Sequence, residues 1–280
     1  MQIDQLKNTT LCLGVAGNFA GHLEQAGETP DFVNVKTQSA TAPKGIFPYY
    51  VPGNPQQIGV FPLADKRIQY PTDLAEDAHL QAEPEVCVLF DAHYEFGKIT
   101  ELKPRFFAAF NDCSIRKPGA KKISEKKNWG EATKGIAGQF LPVTSLAEGG
   151  ELDTYRIASF LERNGEIHAY GNDSAVTSYS YFHQQLMQWM IDKLNHQADF
   201  GPLENLNQLV HQSGFPKQIM VSLGATTYTE FGESVFLQPG DRIAIYVYNN
   251  QKHTPEQIAA HAHGTPLELN DCSLLRQEIV

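Results

Sequence analysis

The pattern of apolar and polar positions reads mostly as strands from residue 83 onward, and helical spacing is confined to a few stretches. Residues 10–15, "TLCLGV", read as a short strand closed by Gly14 and Gly17, and "NFAGHLEQAG" (18–27) reads as one or two helical turns ended by Gly27. Residues 28–75 are rich in Pro, Gly and Thr and read as irregular connections, with a short strand at "QIGVFPL". From residue 83 onward, "EVCVLFDAHYEF" and "RFFAAFNDCSIR" are apolar enough for strands covered on both faces. "YRIASFLERNGEIHAYG" is a hairpin turning at Asn164-Gly165, and "KQIMVSLGATT" and "DRIAIYVYN" add two strands around a "QPGD" turn. Helical spacing places Phe182, Leu186, Trp189, Met190 and Leu194 on one buried face of 182–196. A shorter helix in "LENLNQLVHQSG" stops at Gly214, and "HTPEQIAAHAHG" opens with Thr254, Pro255 and Gln257 as a capped helix start.

Strands and helices do not alternate as βαβ units, so the pattern predicts an α+β fold with a largely antiparallel or mixed sheet and few helices. The expected organisation is a single catalytic domain over 1–280. Its N-terminal part, 1–75, holds the first strand, the short helix of His22 and the irregular segment; 76–280 forms the β-rich core. Neither repeats nor low-complexity stretches interrupt it.

With 280 residues and 41% hydrophobic content, the chain can build a core without staples. A formal net charge of -10 argues against a nucleic-acid backbone or an anionic membrane as partner. The basic run "RKPGAKKISEKK" (116–127) reads as a solvated, mobile loop. Cys12, Cys87, Cys113 and Cys272 form no CxxC pair and read as reduced, packed small hydrophobes. His261 and His263 read as surface residues. The N-terminus lacks a signal-peptide pattern and no stretch reaches the ~20 apolar residues of a membrane span, so a soluble, cytoplasmic protein is expected.

The candidate chemistry lies in "QAEPEVCVLF". Glu83 and Glu85 flank Pro84 and, by strand alternation, face the same way. Proline confines this piece to a strand start or an edge. Two adjacent carboxylates repel unless solvated or bridged, which leaves two readings: an exposed strand end, or a site for a hard divalent cation. A third acid, Asp112, follows the apolar "FFAAF" run, with Arg116 four residues on; Trp129 and Lys134 come later.

The order of these motifs resembles the fumarylacetoacetate hydrolase family. "GNFAGH" matches its G-x-N-Y-x-x-H, Glu83 and Glu85 its ExE, and Asn111, Asp112, Ser114 and Arg116 its N-D-x-[ST]-x-R. Trp129 with Lys134, the Asn164–Glu166 hairpin, and "GATT" before "LQPGD" follow in the family's order. The resemblance spans roughly residues 10–250. It implies the family's mixed β-sandwich roll and a homodimer. It also implies Mg²⁺, Mn²⁺ or Ca²⁺ held by Glu83, Glu85 and Asp112. His22 would act as general base on water, Lys134 would stabilise enolate charge, and Arg116 would assist the site or its loops.

The implied reaction is hydrolysis of a C–C bond in an acylpyruvate-like or other small-molecule 2-oxo acid or dicarbonyl substrate. A metal-dependent decarboxylase, a keto–enol isomerase, or a non-catalytic small-molecule binding protein are the alternatives. Several positions depart from the family pattern. The glutamate of H-x-x-E is Gln25 here, with Glu24 one residue early; "SIRK" replaces "SARD", and "FPYY" (47–50) stands where the family has an early lysine. The 117–127 segment would lie near the site as a flap.

Overall fold

A computed structural model describes residues 2–117 and 119–280; Pro118, inside the basic run, and Met1 lie outside the described residues. In chain order the N-terminal elements are β1 (Thr10–Ala16), α1 (His22–Gln25), β2 (Gly45–Tyr50), β3 (Leu63–Ala64), β4 (Arg67–Ile68) and β5 (His79–Gln81). The middle holds β6 (Pro84–Glu95), β7 (Lys98–Asn111), β8 (Ser114–Arg116), α2 (Ser124–Lys127), β9 (Lys134–Ile136), β10 (Leu141–Pro142), β11 (Tyr155–Arg163) and β12 (Glu166–Ala175). Then come α3 (His183–His196), α4 (Leu206–Gln212), β13 (Gln218–Ser222), α5 (Glu230–Ser234), β14 (Arg242–Asn249), α6 (Pro255–Ala262) and β15 (Cys272–Ile279).

The larger sheet runs β2-β1-β13-β6-β7-β9-β3, with β10 paired to β7. Its β1–β13 and β3–β9 pairs are parallel and the rest antiparallel. A second sheet runs β12-β11-β14-β15-β4, and β5 with β8 forms a two-stranded ribbon. The mixed, β-rich α+β architecture expected from the pattern is the one observed.

The apolar run after Glu85 explains the position of β6. Val86 to Phe90 are all buried, as a strand hydrogen-bonded on both sides and covered on both faces must be. Pro84 is tolerated there because it is the first residue of the strand. The two sheets share one core, across which the Phe107 and Tyr155 rings meet edge to face at 4.9 Å. All four cysteines are buried and free, as their apolar settings predicted.

The local signals were sound. Asn164 and Gly165 both have positive φ, as a two-residue hairpin turn requires. Leu186, Trp189, Met190 and Leu194 are the buried face of α3. Thr254 and Gln257 close the capping box of α6. His261 is part-buried against the Tyr246 hydroxyl rather than free on the surface. Among the described residues no helix is long and apolar enough to cross a membrane.

The basic run departs from its expected state. It is solvated only in part: Gly119, Lys121 and Glu125 are exposed, but Lys126 and Lys127 are only 3% and 2% exposed. The reason is that both ammonium groups find carboxylates brought in by other elements, which a reading of the run by itself cannot see.

Candidate metal centre

Two strand ends build the acidic core. Glu83 and Glu85 enter at the start of β6, and Asp112 leaves the end of β7, its antiparallel neighbour. Asn111 locks the two ends together. Its Oδ1 accepts from the Glu83 backbone N–H at 3.1 Å, its Nδ2 donates to Gln277 Oε1, and the Asp112 N–H donates to the Glu83 carbonyl at 3.0 Å. One oxygen from each of Glu83, Glu85 and Asp112 lies within 4.8 Å of the other two, and all three side chains are buried. The exposed-strand-end reading of the two glutamates is thereby excluded.

The 223–226 segment, carrying Gly224-Ala225-Thr226, folds over the start of β6. Leu223 and Thr226 N–H groups donate to the Val86 and Pro84 carbonyls. Gly224, at φ +121°, aims its own N–H at Glu85 Oε2, 2.8 Å away. Glu85 has no ion-pair partner among the described residues. Burial, with Asp112 and Glu83 nearby, pushes its carboxyl well above the usual range. Glu83 is the reverse case. Burial raises it, but Lys127 and Arg116 outweigh burial and hold it at about 2.

His22 sits at the start of α1, buried at 5% exposure beside the Tyr228 ring. Its Nδ1 is 2.9 Å from the Thr226 carbonyl oxygen. A carbonyl only accepts, so Nδ1 carries the proton and Nε2 keeps a lone pair in the neutral ring. Burial lowers the pKa of His22 and favours that neutral form. Neither Gln25 nor Glu24 orients the ring: Gln25 bonds the Tyr228 backbone and Glu233, and Glu24 is exposed. His22, Glu83, Glu85 and Asp112 line one small cavity of about 20 Å³, together with Asn18 and Phe47. Asn18 holds this wall by bonds to the Tyr181 and Leu223 backbone.

Four cations face these acids. Arg116 spans Glu28 Oε1 (2.7 Å) and Glu83 Oε1 (2.8 Å), and it donates also to Gln81 and Tyr228. Lys134, fully buried, lies 3.2 Å from Asp112 Oδ1, donates to the Cys113 carbonyl, and sits 5.4 Å from the Trp129 ring centroid. Burial lowers its pKa. Lys126 bonds Glu28 and Asp31. Lys127 Nζ lies 2.6 Å from Glu83 Oε2 and 2.7 Å from Asp112 Oδ2.

All six residues singled out in the sequence therefore converge. Glu28, Lys126 and Lys127 join them, and no motif marked these three. Glu28 follows His22 by six residues, and its only sequence signal is an acid in an otherwise polar, irregular stretch.

The α2 turn is pinned from its outer side too. The Ser124 hydroxyl donates to Glu204 Oε1 at 2.5 Å, while Glu204 Oε2 is buried without a hydrogen-bond partner. Burial pushes the Glu204 carboxyl up to about 7. A carboxyl raised in the folded state favours folding below its unfolded pKa and loses that contribution as pH rises. Stability is therefore expected to fall by roughly 3 kcal/mol between about pH 4.5 and 7 from this group. Urea unfolding across that range should show the slope in the wild type and a flatter profile in Glu204→Gln.

The donor set suits a hard divalent cation: three anionic oxygens, buried and convergent. Asp112 Oδ1 and Oδ2 accept no directed hydrogen bond, facing only the ammonium groups. Lys127 Nζ lies against two of the three carboxylates, Glu83 and Asp112.

Strand topology and buried acidic core together define a β-rich α+β fold carrying a candidate cation site. The chain belongs to DUF5718, a family of unknown function, whose model matches residues 28–279. No curated protein matches the chain in sequence. Solved structures share its fold at low identity. Cg1458 with an inhibitor aligns at TM-score 0.56 and 14% identity over 98% of this chain and 78% of that one. 2-Keto-3-deoxy-D-arabinonate dehydratase, complexed with magnesium and 2,5-dioxopentanoate, aligns at 0.52 and 14% over 97% and 73%. Fumarylpyruvate hydrolase from Pseudomonas aeruginosa, in complex with Mn²⁺ and pyruvate, aligns at 0.50 and 12% over 97% and 90%.

Proposed function

We propose that the chain is a divergent relative of the fumarylacetoacetate hydrolases, a metal-dependent enzyme that cleaves a C–C bond in an acylpyruvate-like or other 2-oxo acid. The observation that carries this reading is the convergence of three buried carboxylates with His22 on one cavity. The dehydratase and the fumarylpyruvate hydrolase that share the fold hold Mg²⁺ or Mn²⁺ together with oxo compounds, which supports the same class of chemistry here.

Glu83, Glu85 and Asp112 would hold the cation, which when bound supplies charge to polarise substrate carbonyl oxygens. Lys134, buried against Asp112, adds positive charge on the side where an enolate oxygen develops. His22 accepts a proton at Nε2, its ring fixed by the Thr226 carbonyl. Arg116 fixes Glu83 from behind, so the carboxylate stays ionised and aimed at the cavity.

One observation favours a second reaction on the same site. The Nδ1 partner of His22 is a neutral carbonyl, which orients the ring but gives the imidazolium no charge partner there. Decarboxylation or keto–enol isomerisation of a 2-oxo acid asks less of that base than activation of water. The test is a spectrophotometric assay for pyruvate release from acylpyruvates and oxaloacetate with Mg²⁺ or Mn²⁺, beside NMR of solvent deuterium exchange at the carbon next to the oxo group. Pyruvate release with acid co-product supports hydrolysis, and decarboxylation or exchange without hydrolysis supports the second reading. Folded, metal-supplied protein that does none of these overturns both.

A further inference from the structure

We propose that Lys127 is a tethered counter-ion that competes with a divalent cation for Glu83 and Asp112, so that metal occupancy and insertion of the Ser124–Lys127 turn exclude one another. The inference rests on the reading of the triad as a cation site. It adds a regulatory element to that site: the turn is a plug whose charged tip occupies the ion's place.

Lys127 Nζ touches Glu83 Oε2 and Asp112 Oδ2 at 2.6 and 2.7 Å. The other oxygens of the same two side chains face Arg116 and Lys134. Every oxygen of two of the three ligands is therefore already against a protein cation. An ion binding carboxylates at about 2.0–2.1 Å needs the same oxygens, and a dication a few ångströms from an ammonium in a dry site is strongly repelled. Both cannot be in place. Both of these ligands are also paired without an ion: Glu83 is held by Arg116 and Lys127, and Asp112 by Lys127 and Lys134.

The turn is also the wall of the site. Ile123 and Lys127 line the small cavity of about 20 Å³, while Ser124, Glu125 and Asn128 line an open cleft of about 940 Å³. The small cavity holds about one water, far below the few hundred Å³ of a small-molecule site. Any substrate that reaches Glu83, Glu85 and Asp112 through this wall displaces the turn, and the displacement carries Lys127 off the triad. Admission of substrate and vacating of the ion's place are then one movement. Lys126, bonded to Glu28 and Asp31 outside the triad, is the adjoining hold on the same turn.

The test is calorimetric titration of Mn²⁺ into the full chain and into Lys127→Met. The expected result is one site in each, at least tenfold tighter in the variant. Equal affinities overturn the inference while leaving the triad a metal site. No binding to either protein, both folded, overturns the triad reading and the inference together. Should the variant fail to fold, hydrogen exchange of the wild type with and without saturating Mg²⁺ decides. Faster exchange of amides 121–128 with the ion supports displacement of the turn, and unchanged or slower exchange overturns it.

Discussion

Asp112→Ala is expected to lower stability by about 3–5 kcal/mol, the cost of breaking a buried ion pair from one side. Asp112 is fully buried between two ammonium groups, Lys127 at 2.7 Å and Lys134 at 3.2 Å. Truncation leaves Lys134 enclosed with no carboxylate against it and leaves Lys127 with Glu83 alone. For a chain of this length the loss corresponds to a fall in Tm on the order of 10 °C. Pairing the change with Lys127→Met should give a loss smaller than the sum of the two single losses, because each change removes the same Lys127–Asp112 pair. Differential scanning calorimetry of the four proteins reads this directly. A single-variant loss below about 1 kcal/mol would mean that these ion pairs are not formed as described.

The second large effect is at Arg116. Its guanidinium bridges Glu28 and Glu83 and donates to Gln81 and Tyr228, all in a buried setting. Arg116→Met should cost about 3–5 kcal/mol, and Arg116→Lys should recover little, since a single ammonium cannot serve a planar fork of four partners. The change also carries a pH signature. Burial raises Glu28 and Glu83, yet the neighbouring cations win and hold both carboxyls below their ordinary values, Glu83 at about 2. A carboxyl depressed in the folded state stabilises above its unfolded pKa near 4.5 and loses that contribution as pH falls towards 2. Without Arg116 both groups take up protons at higher pH, so the acid-unfolding midpoint should move upward. Circular dichroism during acid titration of the two proteins measures it, and an unchanged midpoint would contradict the ion-pair account.

The parts of the site legible in the sequence were those fixed by local geometry or by motif order. Glu83 and Glu85 share a face because a strand alternates, and Asp112 joins them because β6 and β7 are neighbours joined by a short turn. The hairpin at Asn164, the buried face of α3 and the capped start of α6 are likewise local.

What stayed hidden depends on partners distant in the chain. Lys127 meets Glu83 across 44 residues and Lys126 meets Glu28 across 98. A lysine run otherwise reads as solvated, since burial of an ammonium is costly until its partner is known. The His22 partner was hidden for the same reason: it is the Thr226 backbone carbonyl, 204 residues away, and a carbonyl has no residue-type signature. Gln25, which stands at the glutamate position of the H-x-x-E motif, turns instead to the Tyr228 backbone and Glu233.

The measurement that bears most directly on the central claim is anomalous diffraction from crystals soaked in millimolar Mn²⁺. One anomalous peak bounded by carboxylate oxygens of Glu83, Glu85 and Asp112, with the Lys127 ammonium withdrawn from them, is the predicted result. Lys127 still seated on Glu83 and Asp112, with no peak between the three carboxylates, would contradict it.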